Sequence, residues 1–250
     1  ILDIKYASSL AERKAQRFED AERVVAPILE NVRKRGDEAV LEYARKFDGY
    51  TGSSVRISPS AKLTPEFLRA VETAAANVRE FAKFQLPTEK YVTLPDGRRL
   101  GQIVRPLGSM GAYTPAGRYP LPSTLLMNVI PAQVAGVKTT CVACPRPSAE
   151  ILGLAEWIGV THFFQMGGAH AIAALAYGTE TVPKVDRIVG PGNIYVAAAK
   201  KMVAGETGID FIAGPTEIAI LAEEGNPRWI AADMLAQAEH DLDASAILLT

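Results

Sequence analysis

The sequence predicts an α/β fold of doubly wound parallel sheets behind an α-rich amino-terminal section. Two observations carry this. Up to about residue 87, apolar residues recur at steps of three and four, the period of amphipathic helices. From Arg105 onward, short β-branched apolar runs alternate with helical patterns, as expected of a parallel sheet covered on both faces.

The early helices are legible one by one. "AERVVAPILENVRKRGDEAVLEYARKFDG" carries the helical period, broken at Gly36 and ended by Gly49. "TPEFLRAVETAAANVREFAKFQ" repeats it, with Thr64 placed as N-cap and Pro65 at the first helical position. Strand-like pieces between Tyr91 and Val104 flank the turn Pro95-Asp96-Gly97. A strand near 108–113 then leads through a Pro/Gly-rich loop to the helix "STLLMNVIPAQVAGV". Next come strand "KTTCVAC", helix "SAEILGLAEWIG", strand "THFFQMG", helix "AHAIAALAYG", strand "DRIVG", helix "NIYVAAAKKMVAG" and strand "IDFIAG". The pattern closes with strand "EIAILAE", a helix from Pro227 and strand "ASAILLT". A final apolar strand without a covering helix reads as part of a longer polypeptide.

Composition narrows the function classes. Hydrophobic residues make up 48% and charged residues 22%, with a formal net charge of −1. Nothing in this balance provides the basic footprint of a nucleic-acid binder. No apolar run approaches a membrane span and the first residues show no signal-peptide pattern, so the cytoplasm is the expected location. Cys141 and Cys144 form a lone C-x-x-C. A zinc ribbon needs a second pair, and the run is apolar and β-branched, so both read as buried core thiols.

Ligands on such sheets bind beyond the carboxyl ends of the strands. The loops to watch are 113–123, 167–170, 190–193 and 214–216. Gly190-Pro191-Gly192-Asn193 reads first as a tight turn with an Asn193 N-cap, and the same geometry is compatible with a helix start open to phosphate. Tyr113 stands at a strand end, where an aromatic ordinarily packs on its neighbours. Gly167-Gly168-Ala169-His170 is a similar strand-to-helix turn, and no G-x-G-x-x-G fingerprint occurs. Gln237 and His240 fall one helical turn apart. That spacing suits a water-facing polar stripe, and it also suits two donors to one metal ion.

The segments "MGAYTPAGRYPLPSTLLMNVIPAQVAGVK", "MGGAHAIAALAYGTETVPKVDRIVGPGNIYVAAAK", "AGPTEIAILAE" and "LAQAEHD" together resemble histidinol dehydrogenase. "NVRKRGDEAVLEYARKFDG" is similar to that family's opening helices. The resemblance implies a zinc- and NAD-dependent homodimer that oxidises L-histidinol through the aldehyde to L-histidine. It implies two domains, the second inserted in the first: 1–112, the NAD-binding 113–216, and a return over 217–250. Tyr113, His170 and Asn193 take the family's NAD-contacting positions, although His170 stands where glutamine is common. Thr216, Gln237 and His240 take substrate-contacting positions, and Gln237 with His240 supplies half the zinc ligands. The remaining ligands and the family's Glu–His acid/base pair are expected beyond Thr250, so residues 1–250 alone are expected to be inactive. Two rival readings stand beside this one. They are a dehydrogenase of the same family for another small alcohol, such as a sulfonated diol, and a non-catalytic nucleotide-binding protein.

Overall fold

The computed structural model describes residues 4–115, 121–212, 217–240 and 244–250, except for the side chains of 4–15, 217 and 240. Helix α1 (Ile4–Arg35) buries Ala21, Val25, Leu29 and Val32, a stripe at steps of three and four. Gly36 breaks it from α2 (Asp37–Tyr43), as its placement between two periodic runs predicts. The last turn, Ala44–Asp48, widens to a π-helix before Gly49 closes it in the left-handed conformation. Strand β1 (Arg56–Ile57) follows, then α3 (Pro65–Gln85), where Thr64 Oγ1 accepts from the Phe67 N–H at 3.2 Å. Strands β2 (Lys90–Thr93) and β3 (Arg99–Gln102) pair as an exposed antiparallel hairpin.

The alternating section is β4 (Ser109–Tyr113), α4 (Pro122–Val134), β5 (Thr139–Ala143), α5 (Ala149–Trp157), β6 (His162–Phe164), α6 (Gly168–Tyr177), β7 (Arg187–Val189), α7 (Ile194–Val203) and β8 (Gly208–Ile209). Its strands lie in the order β1-β6-β5-β4-β7-β8. All neighbours are parallel except the edge pair, where Arg56 and Ile57 run antiparallel to Phe164 and Phe163. The chain therefore winds outward from β4 to β6, then returns to β4's other side with β7. That reversal is the topological switch point of a doubly wound sheet.

Side-chain alternation divides the core into two layers. Met110, Ala112, Val142 and Phe163 pack with α3, α4 and α5. Tyr113, Cys141, Ala143, Phe164 and Ile188 pack with α1, α6 and α7. Each large apolar side chain removed from water here contributes about 1.5–3 kcal/mol. The helices of the amino-terminal section are thus part of the sheet's own covering layers.

Two features differ from the sequence expectation. Strand β1 is too short for a two-residue period to show; the sheet recruits it as Gln165 N–H donates to Val55 O at 2.8 Å. The strand expected over "IDFIAG" is only Gly208–Ile209, because the Asp210 carboxylate turns back to bind Gly190 N–H at 2.8 Å. The part of that run after Ile212 lies outside the described residues.

Contacts divide the chain into two compact units, 1–211 and 212–250. The second holds β9 (Glu217–Leu221), α8 (Pro227–His240) and β10 (Ser245–Leu249). Strands β9 and β10 are parallel, paired from Ser245 with Glu217 to Leu249 with Leu221, so the unit is one βαβ turn of a sheet. Among the described residues, no helix is long and apolar enough to cross a membrane.

The two thiols are core residues, as their setting in an apolar run predicts. Cys141 is 0% and Cys144 2% exposed, and both are free. Burial pushes their pKa values up to about 12 and about 11. Because the thiolate is the nucleophile, neither should alkylate at pH 8 in the native protein, and both should in denaturant. Mass spectrometry showing native labelling of either would refute this.

Candidate functional site

The carboxyl ends of β4 and β7, on either side of the switch point, carry the turn Gly190-Pro191-Gly192-Asn193. Gly190 has φ 107°, a conformation that glycine alone adopts freely. A Cβ there would lie 2.2 Å from Tyr113 O, so the turn sits directly against the end of β4. Asn193 caps α7: its Oδ1 accepts from Tyr195 N–H and Val196 N–H, each at 3.1 Å. The capped helix start directs a partial positive charge toward the strand ends.

A buried ion pair holds this turn. Lys200 Nζ donates to Gly190 O at 2.7 Å and to Asp210 Oδ1 at 2.6 Å. Asp210 Oδ2 in turn accepts from Gly190 N–H at 2.8 Å. Both backbone groups of Gly190 are therefore fixed by one charged pair, with the Lys200 and Asp210 side chains 3% and 17% exposed. Sequence reasoning missed this pair. A signal did exist, since Lys200 falls on the buried stripe of α7 with Val196 and Val203, where a lysine needs a partner.

The neighbouring turn before α6 is anchored differently. Gly168 N–H donates to the Tyr113 hydroxyl at 3.1 Å. Gly167 N–H donates to Asp48 Oδ2 at 2.8 Å, and His170 Nε2 stands 3.0 Å from the same oxygen. His170 is 1% exposed, with its ring tilted against Tyr43 and Phe47. Its side chain therefore lies inside the protein, bound to Asp48 at the end of the π-helical turn. Tyr113 is also buried, and burial pushes its phenol up to about 12, so it stays protonated at neutral pH. Having accepted from Gly168, it retains its own proton to donate.

Of the sequence-selected residues, Tyr113, His170 and Asn193 all flank this end of one sheet. Gln237 and His240 are one turn apart in α8, which is helical through His240. His240's side chain and all of Thr216 lie outside the described residues. Among the described residues, no three His, Cys, Asp or Glu side chains group closely enough to share a metal ion.

Comparison with known proteins identifies the family. The family profile for histidinol dehydrogenase matches residues 11–250. The histidinol dehydrogenase of Geobacillus kaustophilus is 49% identical over 244 residues, covering 93% of this chain and 58% of that protein. That of Aquifex aeolicus is 47% identical over 255 residues, covering 96% and 58%. The crystal structure of histidinol dehydrogenase from Elizabethkingia anophelis superposes with a TM-score of 0.83 at 35% identity, over 91% of this chain and 56% of that one. The chain spans 58% of the length of both sequence relatives. With a profile matched along almost its whole length and a fold to agree, the chain belongs to the histidinol dehydrogenase family.

Proposed function

We propose that the protein binds NAD across the ends of β4 and β7 and oxidises L-histidinol through the aldehyde to L-histidine, the last step of histidine biosynthesis. The strand reversal with its clamped glycine turn is the observation that carries the nucleotide reading, because dinucleotides cross such sheets there. The local chemistry fits the cofactor: a Cβ is excluded at Gly190, and a capped helix start faces the strand ends. NAD supplies the hydride acceptor, and an alcohol carried to an acid needs two of them in succession.

The protein's own residues then have distinct tasks. Tyr113 donates a hydrogen bond from its hydroxyl to the nucleotide, and Asn193 orients the start of α7. His170 acts on the nucleotide through the turn it anchors with Asp48. The nucleotide is assigned to the loops within 113–216, between 1–112 and 217–250, on a sheet that the amino-terminal helices help to cover.

For the metal, an amide oxygen and an imidazole nitrogen suit zinc, and Gln237 with His240 would give two of its usual four ligands. A zinc ion held there would orient the amino alcohol and polarise its oxygen. Thr216 is assigned to substrate contact beside this pair. No residue of 1–250 is assigned the proton transfers. The exposed rings of Phe81 and Phe84 on α3 support the homodimer that the family implies, and the cytoplasm is its proposed location.

The purified full-length protein, given zinc, NAD and L-histidinol, should form two NADH for each histidinol consumed. Residues 1–250 alone should form none. Absence of histidinol-dependent NADH from the full-length protein would refute the proposed activity. NADH formation by residues 1–250 would refute the assignment of proton transfer outside them.

A further inference from the structure

Two buried polar atoms at the strand switch lack a hydrogen-bond partner among the described residues: Thr114 Oγ1 and Asn128 Nδ2. Thr114 is 0% exposed and directly follows β4, where its N–H donates to Ala143 O at 2.9 Å. Strand alternation turns its side chain away from Tyr113's face and toward the layer containing α4. Asn128 belongs to α4, and its Nδ2 comes up beside the glycine turn. A Cβ on Gly190 would lie 3.2 Å from it. The two atoms thus come from opposite sides of the β4–α4 connection to the same end of the sheet.

Interior polar groups are nearly always paired, so two unpaired ones toward the same end of the sheet require a reason. Valine has threonine's shape and leucine approximates asparagine's, so an apolar pair could fill both positions. A hydroxyl and an amide N–H share one capacity, hydrogen-bond donation. Whatever meets them must be rich in acceptors and lie over the ends of β4 and β7. The diphosphate of a dinucleotide meets both demands, offering only acceptor oxygens and crossing sheets of this strand order at that crevice.

We propose that Thr114 Oγ1 and Asn128 Nδ2 donate hydrogen bonds to the diphosphate of the bound dinucleotide. This assignment rests on the NAD reading above and adds two binding residues to it. It also gives both buried donors a partner that they lack among the described residues.

The test uses the near-isosteric variants Thr114→Val and Asn128→Leu in the full-length protein. Thermal unfolding without nucleotide is measured first, then titration calorimetry with NAD and with ADP-ribose, which keeps the diphosphate and lacks nicotinamide. Each variant should unfold at the wild-type temperature or above, because an unpaired polar group has been removed. Each should bind both nucleotides about 10- to 150-fold more weakly, the span expected for a lost hydrogen bond to a charged acceptor. Wild-type affinity in both variants would overturn the proposal and leave these atoms to ordered water. Weakening for NAD but not ADP-ribose would overturn the diphosphate assignment, and a lowered unfolding temperature would show a structural role instead. A wild-type protein that binds neither nucleotide would refute the NAD reading itself, a result distinct from unequal binding by the variants.

Discussion

Replacing His240 with alanine in the full-length protein is expected, on the proposed zinc site, to remove bound zinc and nearly all turnover of histidinol. The imidazole is the stronger donor of the pair that α8 sets one turn apart. Even residues that only support a metal ligand cost about 10–100-fold in affinity or activity when mutated, and a lost ligand costs more. Gln237→Ala should weaken zinc binding and turnover less, because solvent oxygen can partly replace an amide oxygen. Metal analysis of the two purified variants checks this directly. Full zinc occupancy in His240→Ala would remove α8 from the metal site and return its polar residues to a solvent-facing role.

Lys200→Met should produce a large loss of folding stability in the six-stranded sheet. The methionine fills the space but leaves Gly190 O and the Asp210 carboxylate without their cation. Breaking a buried ion pair from one side costs about 3–5 kcal/mol. For a chain of this size, 1 kcal/mol corresponds to about 2–4 °C, so Tm should fall by roughly 6–20 °C. Asp210→Asn should also destabilise, since its single amide oxygen can accept from only one of Gly190 N–H and Lys200 Nζ and its NH2 then faces the other donor. NAD affinity should fall in both variants as the turn loses its fixed geometry. A Lys200→Met protein melting within 1 °C of wild type would show that the pair is dispensable.

The elements that the sequence made legible are those whose determinants are local. Thr64 and Asn193 announce helix starts because a capping side chain reaches only two or three residues ahead. The alternation from β4 through α7 is visible because each element is long enough to show its own period. Strand β1 has two residues and no period, and the π-helical widening before Gly49 has no pattern distinct from an α-helix. The clamp on Gly190 and the anchor on Gly167 depend on residues distant in sequence: Asp210 is 20 residues from Gly190, and Asp48 is 119 from Gly167. His170 shows the same limit. Its place in a strand-to-helix turn was legible, but its burial against Asp48 depends on a helix near the start of the chain.

That last contact bears on how the protein can be divided. A boundary drawn at Tyr113 looks natural, since the regular alternation begins nearby. Yet cutting there would detach Asp48, leaving the Gly167 N–H and the His170 imidazole unsatisfied inside the remaining piece. It would also strip α1 from α6 and α7, exposing the alanine-rich faces of both helices. The six-stranded sheet is therefore not a cassette that can be excised, swapped or grafted by its strands alone. Any transplant of it into another scaffold would have to carry the amino-terminal helices along, at least through the π-helical turn.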